Sequence, residues 1–294
     1  MVKPNVVFIF IDGIGIGKHD ESNPLIDLSF RWLSYMDGSH QNVISDDFVF
    51  KSIDASLGLP GLPQSSTGQT ALFTGVNPIP TVNGHISGFP TVALRGIISE
   101  FSIFKQIEDL GIETLFANAY HKEYFLRKPS MYSATTHAVF AKRDMNFRNL
   151  DHLRRREAVF ADVTNEYLIN EGYDIEKILP EEAASVLMKL SKKYRFLLFE
   201  IPFLDGLAHK MMKDRLITSL YNIDRLIAAT VNKIKNNTVM IISSDHGNLE
   251  DLSSKSHTTN PVPLMIWGRG ADKISESITG IEDITPAIVR LLKY

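Results

Sequence analysis

Val6-Val7-Phe8-Ile9-Phe10-Ile11, closed by Asp12-Gly13, is the stretch on which the fold turns. An unbroken series of β-branched and aromatic residues, without polar alternation, describes a strand buried on both faces of a parallel sheet. The run is too short for a membrane span. Lys3 precedes it, but Asp12 and a glycine series follow at once, without the small-residue cleavage pattern of a secretion signal. The expectation is a cytoplasmic protein with no membrane partner.

Working outward, the same signature returns at 113–118, Phe196–Ile201, Thr238–Ser243 and Val262–Trp267. Helical patterns lie between these runs. Phe101, Phe104, Ile107 and Leu110 share one helical face, closed by Gly111. Pro180 opens another helix, with Glu181 and Glu182 in its first turn and Lys189, Lys192 and Lys193 late. Leu216, Leu220, Ile223, Leu226, Ile227 and Val231 give a longer helix over about 213–235, and Thr285-Pro286 starts a terminal one. Alternating strands and helices predict an α/β fold with a doubly wound, mostly parallel sheet flanked by helices. Residues 121–173 are polar, rich in Arg and Lys, and lack a strand series, so they are expected to form a small lid or cap on a core of 1–120 and 174–294.

Composition narrows the chemistry. The chain has 294 residues, 44% hydrophobic and 22% charged, the balance of an ordinary globular protein. It has no cysteine, which excludes disulfides, thiolate metal ligands and a cysteine nucleophile. A net charge of −3 gives no reason to expect a nucleic-acid partner. Arg154-Arg155-Arg156 and Lys192-Lys193 read as solvated helical faces.

In open α/β sheets, ligands bind beyond the carboxyl ends of the strands. Asp12 follows the first run. Asp205 and His209 follow the third, four residues apart, so that one helical turn would put both on one face. Asp245-His246-Gly247 follows the fourth, and His257 precedes the fifth. Three carboxylates gathered at one edge repel one another unless cations compensate them, and carboxylate with imidazole suits zinc or manganese. Pro63-Gln64-Ser65-Ser66-Thr67-Gly68-Gln69-Thr70 reads as a loop entering a helix, where a helix end favours a phosphate or an oxyanion. The candidate nucleophile lies within this segment.

Those motifs together resemble the metalloenzyme branch of the alkaline phosphatase superfamily, especially cofactor-independent phosphoglycerate mutases and phosphopentomutases. The matching pieces are Phe10-Ile11-Asp12-Gly13-Ile14-Gly15, the turn from Ser65 to Gly68, Asp205 with His209, Ser243-Ser244-Asp245-His246-Gly247-Asn248, and His257-Thr258-Thr259-Asn260-Pro261-Val262-Pro263. The resemblance implies two divalent metal ions, Mn or Zn. One would be held by Asp205, His209 and His257, the other by Asp12, Asp245 and His246 with Ser65 as a further ligand. It also implies phosphoryl transfer through a phosphoserine at Ser65, on a small phosphorylated metabolite.

Two departures favour a phosphatase over a mutase. The large domain that phosphoglycerate mutases insert after the nucleophile helix has no counterpart, and Gln69 stands where those mutases carry a histidine. The alternatives are a phosphomutase, a phosphodiesterase or phosphonate hydrolase, and a catalytically silent metal-binding protein. Arg127, Lys128, Arg143 and Arg148 in the lid, with His85, are the candidate substrate contacts.

Overall fold

The most apolar strand occupies the middle of the sheet. The computed structural model describes residues 3–26, 29–142, 147–235 and 237–293. Its strands are β1 (Asn5–Ile11), β2 (Val43–Ile44), β3 (Phe48–Ile53), β4 (Thr114–Phe116), β5 (Ala119–Tyr120), β6 (Arg148–Asn149), β7 (Phe196–Ile201), β8 (Thr238–Ser243) and β9 (Val262–Trp267). Seven form one sheet in the order β2-β3-β9-β8-β1-β7-β4, and β5 pairs with β6 separately. Strand β1 runs parallel to β7 on one side and to β8 on the other, and β4 extends the parallel block beyond β7. Every residue of β1 after Asn5 is buried, as a run without polar alternation requires.

Beyond β8 the sheet reverses. Strand β9 is antiparallel to β8, β3 to β9 and β2 to β3. A parallel return needs a crossover, usually a helix. Residues 244–261 form no helix and fold as loop along the sheet edge, so β9 re-enters beside β8 in the opposite sense. The β2–β3 pair that closes this side has no counterpart in the sequence reading.

Helices cover both faces. Pro180–Leu190 and Lys213–Val231 pack on one, around Leu187, Leu220 and Leu226. Ser65–Thr74, Val92–Phe101, Ile103–Glu108 and Ile284–Lys293 cover the other, around Phe73, Phe104 and Ile288. The amphipathic pattern around Phe101 and Phe104 is broken at Ser102, whose side chain accepts from the amide of Phe104 and restarts the helix. No helix among the described residues is long and apolar enough to cross a membrane.

The stretch 121–173 divides in two. Helix Ala134–Phe140 buries Ala134, Ala138 and Val139 in the main core, a short helical stripe hidden within a polar segment. The remainder, with β5, β6 and helices Leu150–Arg154 and Glu166–Asn170, gathers around its own small cluster of Leu153, Phe160, Leu168 and Ile175.

The helix Ser65–Thr74 approaches the end of β8 closely at Gly68. A β-carbon there would lie 2.8 Å from the carbonyl oxygen of Asp245 and 3.1 Å from its Cβ. Alanine favours a helix by up to about 1 kcal/mol over glycine, but this contact is with backbone and cannot rotate away. Gly68→Ala is therefore expected to destabilise the protein by about 1–3 kcal/mol, the usual cost of overpacking. Urea denaturation checks it, and an unchanged or raised midpoint would contradict the packing argument.

Candidate metal centre

Strand register brings the first side chains together. Ile11 lies beside Ile201 and Phe10 beside Ser243, so the residues leaving β1, β7 and β8 emerge at one level. The Asp12 amide still donates to the Ile201 carbonyl at 3.1 Å. Helix Phe203–His209 starts just past β7 and puts Asp205 and His209 on one face, with His209 Nε2 3.3 Å from Asp205 Oδ2. Gly13, at φ 75°, lets this helix close in, since a β-carbon there would meet Asp205 Oδ1 at 2.8 Å.

His257 arrives by another route. It precedes β9, and only because β9 is antiparallel does the start of that strand lie at the edge where β1, β7 and β8 end. The Thr258 amide donates to the Gly247 carbonyl at 3.0 Å and draws the two loops together.

The result is one compact set of donors. Asp205, His209 and His257 each present a ligand atom within 4.8 Å of the others, and so do Asp12, Asp205 and His246. The first group is the expected one. In the second, Asp205 stands beside Asp12 and His246, so this carboxylate serves both groups. Asp245 is also close, its Oδ2 lying 3.4 Å from His246 Nε2 and accepting from the Gln69 amide at 3.1 Å. Ser65, first residue of its helix, places Oγ 2.9 Å from His246 Nε2.

The donor set fits divalent cations. His257 Nδ1 faces the Pro63 carbonyl at 2.8 Å and His209 Nδ1 the Lys255 carbonyl at 2.5 Å. His246 Nδ1 faces the Gly247 carbonyl at 3.4 Å. Such carbonyls hold the proton on Nδ1 and leave each Nε2 lone pair aimed into the cluster. Asp12 Oδ1 and Asn248 Oδ1 are buried there with no hydrogen-bond partner, the state expected of atoms awaiting a cation.

A family model described as the Metalloenzyme superfamily matches residues 148–294, half of the chain. The chain belongs to the Metalloenzyme superfamily. It is an alkaline phosphatase-superfamily metalloenzyme. In sequence it is 24% identical over 129 residues to the 2,3-bisphosphoglycerate-independent phosphoglycerate mutase of Wolinella succinogenes, covering 41% of this chain and 26% of that protein. It is 29% identical over 109 residues to the Ehrlichia canis enzyme of the same name, covering 34% and 22%. The matched region thus spans about a quarter of the length of these curated relatives. In fold it is similar to the alkaline phosphatase of the Antarctic bacterium TAB5, with TM-score 0.57, 14% identity and 99% of each chain covered. It is also similar to Leishmania mexicana phosphoglycerate mutase, with TM-score 0.52, 13% identity and 100% and 96% covered.

The metalloenzyme's carboxylates are under electrostatic stress without metal. Burial first, then the charges of Asp245 and Asp205, raises Asp12 well above the usual carboxylate range. Burial and Asp205 push Asp245 up to about 7. Burial, then His257, pushes His246 down to about 3. Its ring stacks on that of His257, with centroids 3.7 Å apart.

Buried polar residues absent from the sequence reading support this set. Glu250, 1% exposed, accepts from the amides of Gly15 and Asn248 at 2.9 and 2.8 Å and from the side chains of Thr258 and Asn260 at 2.5 and 3.1 Å. It ties together the loops that carry Asp12, His246 and His257. Asn248 holds Asp205 Oδ1 at 2.6 Å. Glu200 lies behind Asp245, accepts from Thr135 Oγ1 at 2.8 Å, and is pushed up to about 7 by burial and the Asp245 charge. A carboxylate inside the apolar run Phe196–Ile201 was a readable signal, because buried charge is costly.

The metalloenzyme's cavity at Ser65, about 390 Å³, is lined by Gln64, Ser87, Gly88, Lys255 and His257 among others. His85 lies just outside, with Nε2 on the Leu59 carbonyl at 3.2 Å, while its neighbours Ser87 and Gly88 reach the lining. Arg127 lines a different cavity and covers the Tyr124 ring. Lys128 immediately precedes the short 3-10 helix Pro129–Met131, with no capping bond from its side chain. Arg148 bonds the Tyr194 hydroxyl at 3.0 Å and faces Glu157 at 3.9 Å. Arg143 lies outside the described residues.

The pH response follows from these shifts. Raised carboxyl groups bind protons in the folded state that the unfolded chain releases above about pH 4. Their stabilisation is therefore lost as pH rises through about 7. His246 acts oppositely, since the unfolded chain takes up its proton below about pH 6.5, but it is silent above that. Metal-free protein is thus expected to melt at a lower temperature at pH 8 than at pH 6.5. Added Mn²⁺ or Zn²⁺ should raise the melting temperature more at pH 8, and a metal effect that shrinks with pH would refute the assignment. Glu250→Ala is expected to weaken metal affinity by about 10–100-fold, as loss of outer ligand support does elsewhere. Calorimetric titration of the metal checks it.

Proposed function

We propose that this chain is a metal-dependent phosphoryl-transfer enzyme that hydrolyses a small phosphate monoester through a phosphoserine at Ser65. The observation that carries the reading is Ser65 Oγ, 2.9 Å from His246 Nε2 and beside both donor groups, at the amino end of a ten-residue helix. Asp205, His209 and His257 would hold one divalent cation, and Asp12, Asp245 and His246 the other, with Mn or Zn suited to these donors. When bound, the cations would supply charge neutralisation and Lewis-acid activation.

The chain's own groups do the rest. Ser65 Oγ lies 2.9 Å from His246 Nε2 and lines the cavity, so the oxygen stands among the donor atoms that would hold the cations. The positive end of helix Ser65–Thr74 favours the charge of a phosphoryl group held there. Attack forms the Ser65 Oγ–P bond as the P–O bond to the leaving alcohol breaks, and the alcohol departs with a proton. Water then cleaves the Oγ–P bond, giving inorganic phosphate and restoring the hydroxyl.

Two features support hydrolysis over transfer back to the substrate. Between the nucleophile helix and β4 the chain forms helices packed into the core rather than an enclosing domain. Leu62, Lys255 and Ser256 on the cavity wall are exposed, so water has access to Ser65. The mutase reading keeps support from the sequence matches to phosphoglycerate mutases.

With Mn²⁺ or Zn²⁺ and a panel of phosphomonoesters, the protein is expected to release inorganic phosphate. Acid quenching should trap phosphate on Ser65. Ser65→Ala should lower kcat/KM by about a thousandfold or more, as loss of a nucleophile does, with metal content unchanged. Activity retained in that variant would move the nucleophile elsewhere. Rearranged substrate without free phosphate would decide for a mutase.

A further inference from the structure

A second cavity is larger than the one at Ser65. It measures about 820 Å³ and lies on the other side of helix Phe203–His209. Asp205 and His209 face the donor cluster, whereas Phe203, Gly206, Leu207 and Lys210, spaced as one helical stripe, line this second cavity. The two cavities share no lining residue. One helix separates them, a thickness of about 10 Å.

The lining has a definite chemistry. Tyr120, Tyr124, Phe160, Tyr167 and Phe203 give it aromatic walls, and Phe160 and Tyr167 stand nearly parallel, 20° apart. Arg127, Lys210 and Arg215 also line it, and no carboxylate among the described residues pairs with any of them. The acidic groups of the lining are largely engaged. Asp162 accepts from the amides of Thr164, Asn165 and Tyr167, and Glu166 pairs with Lys177. With Glu166 paired, Asp162 and Asp214 stand against the three cations Arg127, Lys210 and Arg215. The amino end of the 19-residue helix Lys213–Val231 opens here too, with no side chain capping it.

Aromatic walls, surplus cations and a volume suited to a small molecule select a planar ring that carries negative charge. We infer that this cavity is a binding site for a small anionic aromatic molecule of the nucleoside monophosphate kind. It lies across helix Phe203–His209 from the face that carries Asp205 and His209. The inference goes beyond the proposed hydrolysis, because it concerns a place the reaction does not use.

AMP is the probe. It is titrated by calorimetry into metal-loaded protein with orthovanadate present to fill the Ser65 cavity, with adenosine and inorganic phosphate as separate arms. The expected result is AMP binding at least tenfold tighter than either arm. Arg215→Glu and Lys210→Glu should each weaken it at least tenfold, and Tyr167→Ala should weaken AMP without changing the phosphate arm. Arg215→Glu should leave p-nitrophenyl phosphate turnover without AMP within twofold. AMP affinity that is abolished by vanadate, or untouched by Arg215→Glu, or matched by adenosine, or no AMP binding at millimolar concentration, overturns the inference. Failure of the hydrolysis assay leaves these titrations intact, so the two readings fall separately.

Discussion

Three carboxylates, from Asp12, Asp205 and Asp245, are held together at one buried sheet edge, and the architecture around them is arranged to bear that charge. Without a cation, Asp12 and Asp245 resist ionisation and His246 resists protonation. Burying like charges without compensation is among the costliest arrangements a fold can adopt. Three imidazoles turned by backbone carbonyls to aim Nε2 at the same place make the arrangement intelligible. Each is oriented with Nε2 toward the cluster, where it can donate a lone pair.

The outer support shows how rigid elements and loops divide the labour. Parallel strands β1, β7 and β8 set the height at which Asp12, Asp205 and Asp245 emerge. Glu250 then binds the loops after β1 and β8 to the loop before β9, using four hydrogen bonds on one buried carboxylate. Ligands on loops gain the precision of ligands on strands when such a group ties them. The missing β-carbons of Gly13 and Gly68 make room for the Asp205 side chain and for the Asp245 backbone, so helix Phe203–His209 and the Ser65 helix reach the same point.

Much of this was legible in the chain. Uniform apolar runs announced buried strands, and polar residues at their ends announced candidate ligands, because the carboxyl edge of a parallel block is where side chains are free to converge. The carboxylate of Glu200 within an apolar strand could have been read in the same way. Glu250 could not. Its neighbours Asn248 and Leu249 mark an ordinary turn, and only the folded loops show four donors meeting one carboxylate. Ser102, which splits one helical pattern into two helices, was hidden because its effect lies in a local cap and not in periodicity.

The sequence by itself determined the class of fold, the burial of β1 on both faces and which side chains are candidates to hold a metal, because burial and periodicity are written residue by residue. Tertiary structure alone decided that β9 runs backward, and that reversal carries His257 to the edge where β1, β7 and β8 end. It also decided that Asp205 stands between both donor groups. Both depend on how distant segments pack, and no local pattern encodes the direction in which a strand re-enters its sheet.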